Sequence, residues 1–126
     1  MAGVLKQIVV AVDDDRRVRQ SLQSVVESAG YATLAFATAE QFLQSGALVD
    51  ASFLIADVRM PGMDGIELQR RARLDRPLLP VIFISAHVDD DVRRHALAGG
   101  AMNFMYKPFD AAALLDIIDG VLKHER

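Results

Sequence analysis

No cysteine occurs among the 126 residues, which excludes a disulfide scaffold, a thiol nucleophile, an iron–sulfur cluster and a cysteine-ligated zinc. No apolar run approaches the roughly 18 residues that cross a bilayer. Met1–Lys6 is too short for a secretory signal peptide, so the cytoplasm is the expected compartment. Positive charge is in deficit too. The net charge is −3, the wrong sign for a domain that tracks phosphates along DNA. Lysine is scarce, with only Lys6, Lys107 and Lys123 among 14 basic residues. The arginine clusters Arg16-Arg17-Arg19 and Arg70-Arg71-Arg73 are interleaved with or followed by acids and read as solvated helix faces. Direct nucleic-acid binding is therefore not expected. Linkers, repeats and low-complexity tracts are also missing.

What is present is an ordinary globular balance, 52% hydrophobic and 25% charged, in a length that fits one domain over residues 1–126. Five short apolar runs, rich in β-branched and aromatic residues, alternate with amphipathic stretches. They are Gln7–Val12, Tyr31–Phe36, Phe53–Ala56, Val81–Ser85 and Met102–Tyr106. The first and fourth are apolar nearly throughout, as strands buried on both faces of a parallel sheet should be. Val18, Leu22, Val25, Val26 and Ala29 form a helical stripe closed by Gly30, and Leu114, Leu115, Ile118, Val121 and Leu122 form another. Val88, Val92 and Ala96 repeat the pattern more weakly before Gly99-Gly100. Weaker helical patterns cover Thr38–Gln44 and Gly65–Leu74. The sum is βα repeated five times, an α/β sandwich with a mostly parallel five-stranded sheet, helices on both faces and right-handed crossovers. In such sheets the ligand site lies beyond the carboxyl ends of the strands.

Those ends carry an unusual set of side chains. The first strand runs into Asp13-Asp14-Asp15, the third ends at Asp57, the fourth at Ser85 and the fifth at Lys107. A nucleotide-binding fold would place glycines after the first strand to cradle phosphate; three aspartates there would repel a bare phosphate instead. Carboxylates so clustered repel one another by about 4 kcal/mol per pair at 4 Å and an effective dielectric of 20. Either their pKa values rise or a cation sits among them. Hard oxygen donors with room for water suit Mg²⁺. Asp57, followed by the turn formed by Pro61-Gly62, can act as a nucleophile on phosphorus next to such an ion, or else simply cap the helix after it. Lys107 either faces the carboxylates or snorkels at the surface. The Lys107–Pro108 bond is open to the cis form. Asp89-Asp90-Asp91 reads as a helix N-terminus.

Together these residues carry a resemblance. Asp13-Asp14, Asp57 with Met60-Pro61-Gly62-Met63-Asp64-Gly65, Ser85-Ala86 and Lys107-Pro108-Phe109 occur in the order and spacing of the receiver domain of two-component response regulators. The resemblance covers Lys6–Lys123. Ile84-Ser85-Ala86-His87 and Tyr106-Lys107-Pro108-Phe109 look most similar to the FixJ-type branch, whose members usually carry a helix-turn-helix output domain after the receiver. The resemblance implies a flavodoxin-like (βα)5 doubly wound sandwich of strand order 2-1-3-4-5. It also implies that Asp57 is phosphorylated by a histidine kinase. Asp14 and Asp57 would hold Mg²⁺ directly, Asp13 through water, and the backbone carbonyl of Arg59 would complete the protein ligands. Lys107 would bind the phosphoryl group, Ser85 and Phe104 would be the switch hydroxyl and switch aromatic, and the small Ala86 would leave the phosphoryl group accessible. Arg59 and His87 stand where the family tunes phosphate hydrolysis; Arg59 either screens the phosphoryl group or extends into solvent, and His87 reads otherwise as a loop residue.

The implied action is a switch rather than an enzyme, with at most slow self-dephosphorylation. Ser85 moves onto the phosphoryl group, Phe104 turns into the space vacated, and the face of the fourth helix, fifth strand and fifth helix changes to control homodimerisation or a transcriptional output. Two other readings compete. Asp13-x-Asp15 is similar to the haloacid-dehalogenase-like phosphatases, with Asp13 as nucleophile and Asp15 as acid/base, although no cap region fits in this length. A binding module that no longer uses phosphate would not need the complete set of acids, Ser85 and Lys107.

Overall fold

The β-branched runs become strands because alternate side chains find an apolar layer on each side of them. The computed structural model describes residues 6–86 and 89–123. In chain order the elements are β1 (Ile8–Val12), α1 (Arg16–Ser28), β2 (Ala32–Phe36), α2 (Ala39–Ser45), a 3₁₀ turn (Ala47–Asp50), β3 (Phe53–Ala56), α3 (Gly65–Asp75), β4 (Val81–Ser85), α4 (Asp90–Ala98), β5 (Asn103–Tyr106) and α5 (Ala111–Leu122). The strands form one parallel sheet of order β2-β1-β3-β4-β5. The expected flavodoxin-like order is thus observed. Strand and helix limits shift from the expected ones by one residue at several ends, and the 3₁₀ turn was not foreseen.

The sheet separates two cores. Val10, Val12, Leu54 and Phe83 point to one side, where they meet Phe42 of α2, Leu68 and Ala72 of α3 and Ala96 of α4. Val9, Ala11, Phe53, Ile55, Ile82 and Ile84 point to the other, against Leu22 and Val26 of α1 and Leu114 and Ile118 of α5. This alternation is why β1 and β4 are apolar up to the Ser85 that ends β4. Val18, Val25 and Ala29 pack at the margin of the second core, completing the stripe expected for α1. Of the stripe expected for α4, Val92 and Ala96 face the sheet; Val88 and His87 lie outside the described residues. Among the described residues no helix is long and apolar enough to cross a membrane.

Most helices begin on an aspartate. Asp15, Asp64, Asp89 and Asp110 cap α1, α3, α4 and α5, and Thr38 caps α2. Each such cap contributes about 1 kcal/mol by satisfying a backbone N–H with no partner in the helix. Asp89 accepts from the amides of Asp91 and Val92, as a helix start should. The arginine clusters correct one expectation. Arg70 and Arg71 are solvated and pair with Glu67, whose carboxyl the hydrogen bonds from these two side chains pull down to about 2. Arg19 and Arg73 are half-buried and spend guanidinium donors on backbone carbonyls, those of Asp13 (2.8 Å) and Leu79 (3.0 Å). Free carbonyls at loop ends need donors, and an arginine on a neighbouring helix can reach them.

Gly65 is placed by a close approach. A β-carbon there would lie 2.3 Å from the carbonyl oxygen of Asp57 and 3.0 Å from the Phe83 ring. The α3 N-terminus can therefore sit directly behind Asp57, with the Gly65 amide bonded to Val58 O at 2.8 Å. Gly65→Ala is expected to cost about 1–3 kcal/mol through overpacking. Urea unfolding would show a lower midpoint at unchanged slope; an unchanged midpoint would refute the close approach.

Candidate phosphoacceptor and metal site

Backbone hydrogen bonds carry the sheet one step past its strands and so fix the site. The Asp13 amide donates to Phe36 O (3.1 Å), that of Asp57 to Val12 O (3.0 Å) and that of Lys107 to Ser85 O (2.9 Å). Each residue is thus anchored where its side chain leaves the sheet edge. Asp13 and Asp57 are almost fully buried, at 1% and 6% exposure.

The Lys107 ammonium lies between them. Its Nζ donates to Asp57 Oδ2 at 2.7 Å and stands 2.9 Å from Asp13 Oδ2. The remaining oxygens take backbone donors: Asp13 Oδ1 accepts from the Asp15 amide at 2.9 Å, and Asp57 Oδ1 from the Arg59 amide at 3.1 Å. Each buried carboxylate therefore has one oxygen on the lysine and one on its own turn. The snorkelling alternative for Lys107 is removed, since its side chain is only 16% exposed. The capping alternative for Asp57 is removed as well, because Asp64 caps α3. The Lys107–Pro108 bond is cis.

Asp14, which is exposed, completes the acidic group. Asp13, Asp14 and Asp57 offer carboxylate oxygens within 4.8 Å of one another. Three hard oxygen donors, one of them open to water, fit a small divalent cation that retains part of its hydration. The pocket electrostatics agree. Burial raises the Asp13 pKa above its ordinary value despite the opposing Asp15 amide and Lys107, and the Asp57 charge adds to the rise. For Lys107 burial acts to lower the pKa, but the hydrogen bonds and charges of Asp57 and Asp13 outweigh it and raise it. The lysine stays charged, while burial works against the charged form of Asp13.

The other expected residues lie around this centre. Ser85 ends β4 beside the pocket, 1% exposed, and Ala86 follows it at the surface. Arg59 is exposed, and its amide contacts Asp57. Asp15 caps α1 by accepting from the Arg17 amide at 2.9 Å, which removes it from the acid/base role that a phosphatase would need. Phe104, the expected switch aromatic, is 6% exposed, with its ring 6.3 Å from Phe83 and 5.6 Å from Tyr106. Burying such a ring gains about 1.5–3 kcal/mol. The exposed aromatic of β5 is Tyr106, at 40%. Two contributors were invisible in the sequence. Arg19 holds the carbonyl of Asp13, and Glu40 of α2 reaches the loop after Asp57. Neither differs in pattern from an ordinary solvated helix charge.

The response regulator receiver domain family matches residues 9–119. The chain belongs to that family. Among curated relatives, this receiver domain is 36% identical over 121 residues to nodulation protein W of Bradyrhizobium diazoefficiens, covering 96% of this chain and 53% of the relative. It is 32% identical over 115 residues to the transcriptional regulatory protein FixJ of the same organism, covering 91% of this chain and 56% of the relative. The chain thus spans about half the length of these relatives. Among solved structures, the response regulator StyR superposes with a TM-score of 0.84 at 39% identity, over 94% of this chain and 60% of that one. The chemotaxis protein CheY4 of Vibrio cholerae does so with a TM-score of 0.84 at 27% identity, over 94% and 100%. Phosphorylation and magnesium dependence are general features of such receivers, and the acidic pocket is present here.

The raised Asp13 pKa has a testable sign. The folded state binds this proton more tightly than the unfolded chain does. Its contribution to stability is fully present below the ordinary value of 3.8 and is lost as pH rises through the folded value. At neutral pH without divalent ions the ionised group therefore opposes folding. Asp13→Asn is expected to raise the melting temperature of the ion-free receiver at pH 7 and to flatten its decline from acid to neutral pH. It should also reduce the stabilisation that magnesium gives the wild type, about 1.4 kcal/mol at ten times the dissociation constant. A less stable Asp13→Asn protein at pH 7 would contradict this account.

Proposed function

We propose that this receiver accepts a phosphoryl group on Asp57 from a histidine kinase, in the cytoplasm, and relays that event through the face formed by α4, β5 and α5. The observation that carries the proposal is the Lys107 ammonium, at the end of β5, bridging Asp57 and Asp13 at the ends of β3 and β1. A structural salt bridge needs one carboxylate. Two buried carboxylates and a third beside them, at a net negative charge, form a site that a cation and a phosphoryl group complete. The receiver reading spans the chain as one domain, with its core over residues 6–123.

A carboxylate oxygen of Asp57 forms a bond to phosphorus as the P–N bond of the donor phosphohistidine breaks, and the imidazole nitrogen keeps the electron pair. Asp57 is presented for this by the Arg59 amide and by its own anchored backbone. Lys107 already touches the nucleophile and would follow the phosphoryl oxygens as they arrive, keeping its second contact to Asp13. Ser85, at the end of β4, would donate its hydroxyl to a phosphoryl oxygen. Asp14, Asp57 and the Arg59 carbonyl would hold Mg²⁺, with Asp13 acting through water. When bound, the ion supplies charge neutralisation for the incoming phosphoryl group. The kinase has an approach as well. A groove of about 510 Å³ lined by Val18, Val25, Pro108 and Phe109 shares Lys107 with the pocket.

Phe104 enters this scheme as a ring to be retained rather than recruited. Bonding of Ser85 to the phosphoryl group would hold Phe104 against Phe83 and so fix Tyr106 and α4 at the relay face. Homodimerisation, or control of a helix-turn-helix output domain as in the FixJ-type branch, would be read from that face. A phosphatase reading is weakened by the use of Asp15 as a cap.

Incubation with acetyl phosphate and Mg²⁺ is expected to add up to one phosphate per chain, lost in alkali as an acyl phosphate is, whereas Asp57→Asn gains none. No gain in the wild type, or continuous turnover of p-nitrophenyl phosphate, would contradict the proposal.

A further inference from the structure

The loop after Asp57 carries the expected carbonyl ligand and shapes one wall of the pocket. At its base it is fixed by the Asp57–Arg59 contact and by the Gly65 amide on Val58 O. Its tip, Pro61-Gly62-Met63, is reached from α2. Glu40 Oε2 accepts from the Met63 amide at 2.8 Å. The fit is tight: Gly62 has a φ of +76°, and a β-carbon there would lie 2.5 Å from the same Glu40 oxygen. The Met63 amide holds the Glu40 carboxyl below its ordinary value, as a hydrogen bond to the ionised form should.

Glu40 stands in the first turn of α2, just after β2. The last residue of β2, Phe36, accepts the Asp13 amide at 3.1 Å, and Phe36 packs on Phe42 of α2 with ring centroids 5.5 Å apart. The junction between β2 and α2 therefore touches both walls of the acidic pocket. Asp13 hangs from one end of it and the tip of the Asp57 loop from the other.

We propose that Glu40 is a positioning residue: a strut that sets the distance between the aspartate pair on the β1 side and the loop bearing the Arg59 carbonyl on the β3 side, and thereby sets the affinity of the pocket for magnesium. This rests on the receiver reading above. Glu40 is not among the clustered carboxylates and meets the loop through the Met63 amide, so its proposed action runs through the loop. The strut depends on an acceptor oxygen at that place, whereas a long-range effect of its charge on a cation would not. Glutamine keeps the acceptor and removes the charge; alanine removes both.

The test compares Glu40→Ala and Glu40→Gln with the wild-type chain by two measurements. In ion-free protein, hydrogen exchange of the Met63 amide is expected to speed up about tenfold in Glu40→Ala, from the loss of the hydrogen bond, and by clearly less in Glu40→Gln, which keeps the acceptor and loses only its charge. Calorimetric titration with MgCl₂ is expected to give about three- to tenfold weaker binding for Glu40→Ala, in the manner of an outer-shell support, and near wild-type binding for Glu40→Gln. Equal weakening in both variants would show a charge effect and overturn the strut. Unchanged magnesium binding in Glu40→Ala, despite faster Met63 exchange, would also overturn it while leaving the receiver reading intact. A wild-type chain that neither binds magnesium nor takes phosphate from acetyl phosphate would instead defeat the receiver reading, and the strut with it.

Discussion

One ammonium held between two buried carboxylates is the constraint on which the site depends. Asp13 and Asp57 stand at the ends of neighbouring strands, within reach of the same Lys107 Nζ at 2.9 and 2.7 Å. Without that charge, two carboxylates at such a distance would repel by about 4 kcal/mol at an effective dielectric of 20. With it, the pocket is still short of positive charge, because Asp14 adds a third carboxylate. The site is therefore stable enough to fold and unbalanced enough to favour a cation. That imbalance connects structure to function.

The fold supplies the placement and little else. Parallel strands buried on both faces end at one edge, and every residue just past a strand end is delivered there. The ladder extends one bond beyond β1, β3 and β5, so Asp13, Asp57 and Lys107 are fixed through their backbones before their side chains interact. Gly65 lets α3 start against the back of Asp57. Arg19 ties α1 to the carbonyl of Asp13. A packed core holds the sheet in place, and short contacts from helices trim the edge.

Much of this was legible in the residues. Asp13, Asp57, Ser85 and Lys107 each terminate an apolar run, and a polar group at the end of a buried strand has few places to go. The five strands were legible for the same reason, since their runs contrast sharply with the helices between them. The strand order rested on resemblance to the receiver family. Arg19 and Glu40 were not legible, because a charge on an amphipathic helix looks the same whether it meets water or a backbone group of another element. The 3₁₀ turn at Ala47–Asp50 carries no period that would announce it. The seat of Phe104 depends on its packing beside Phe83, its register partner on β4, which is a property of packing and not of spacing. A β5 written Asn-Phe-Met-Tyr does not tell which ring faces the core.

Locating the esterified residue tests the central claim most directly. Borohydride reduction of the phosphorylated receiver converts an acyl phosphate on aspartate to homoserine, which peptide mass mapping can place in the chain. Homoserine at position 57 alone is the expected result. Homoserine at position 13 or 14, or phosphate retained elsewhere in the chain, would contradict the assignment of Asp57 as the nucleophile that Lys107 and the acidic pair serve.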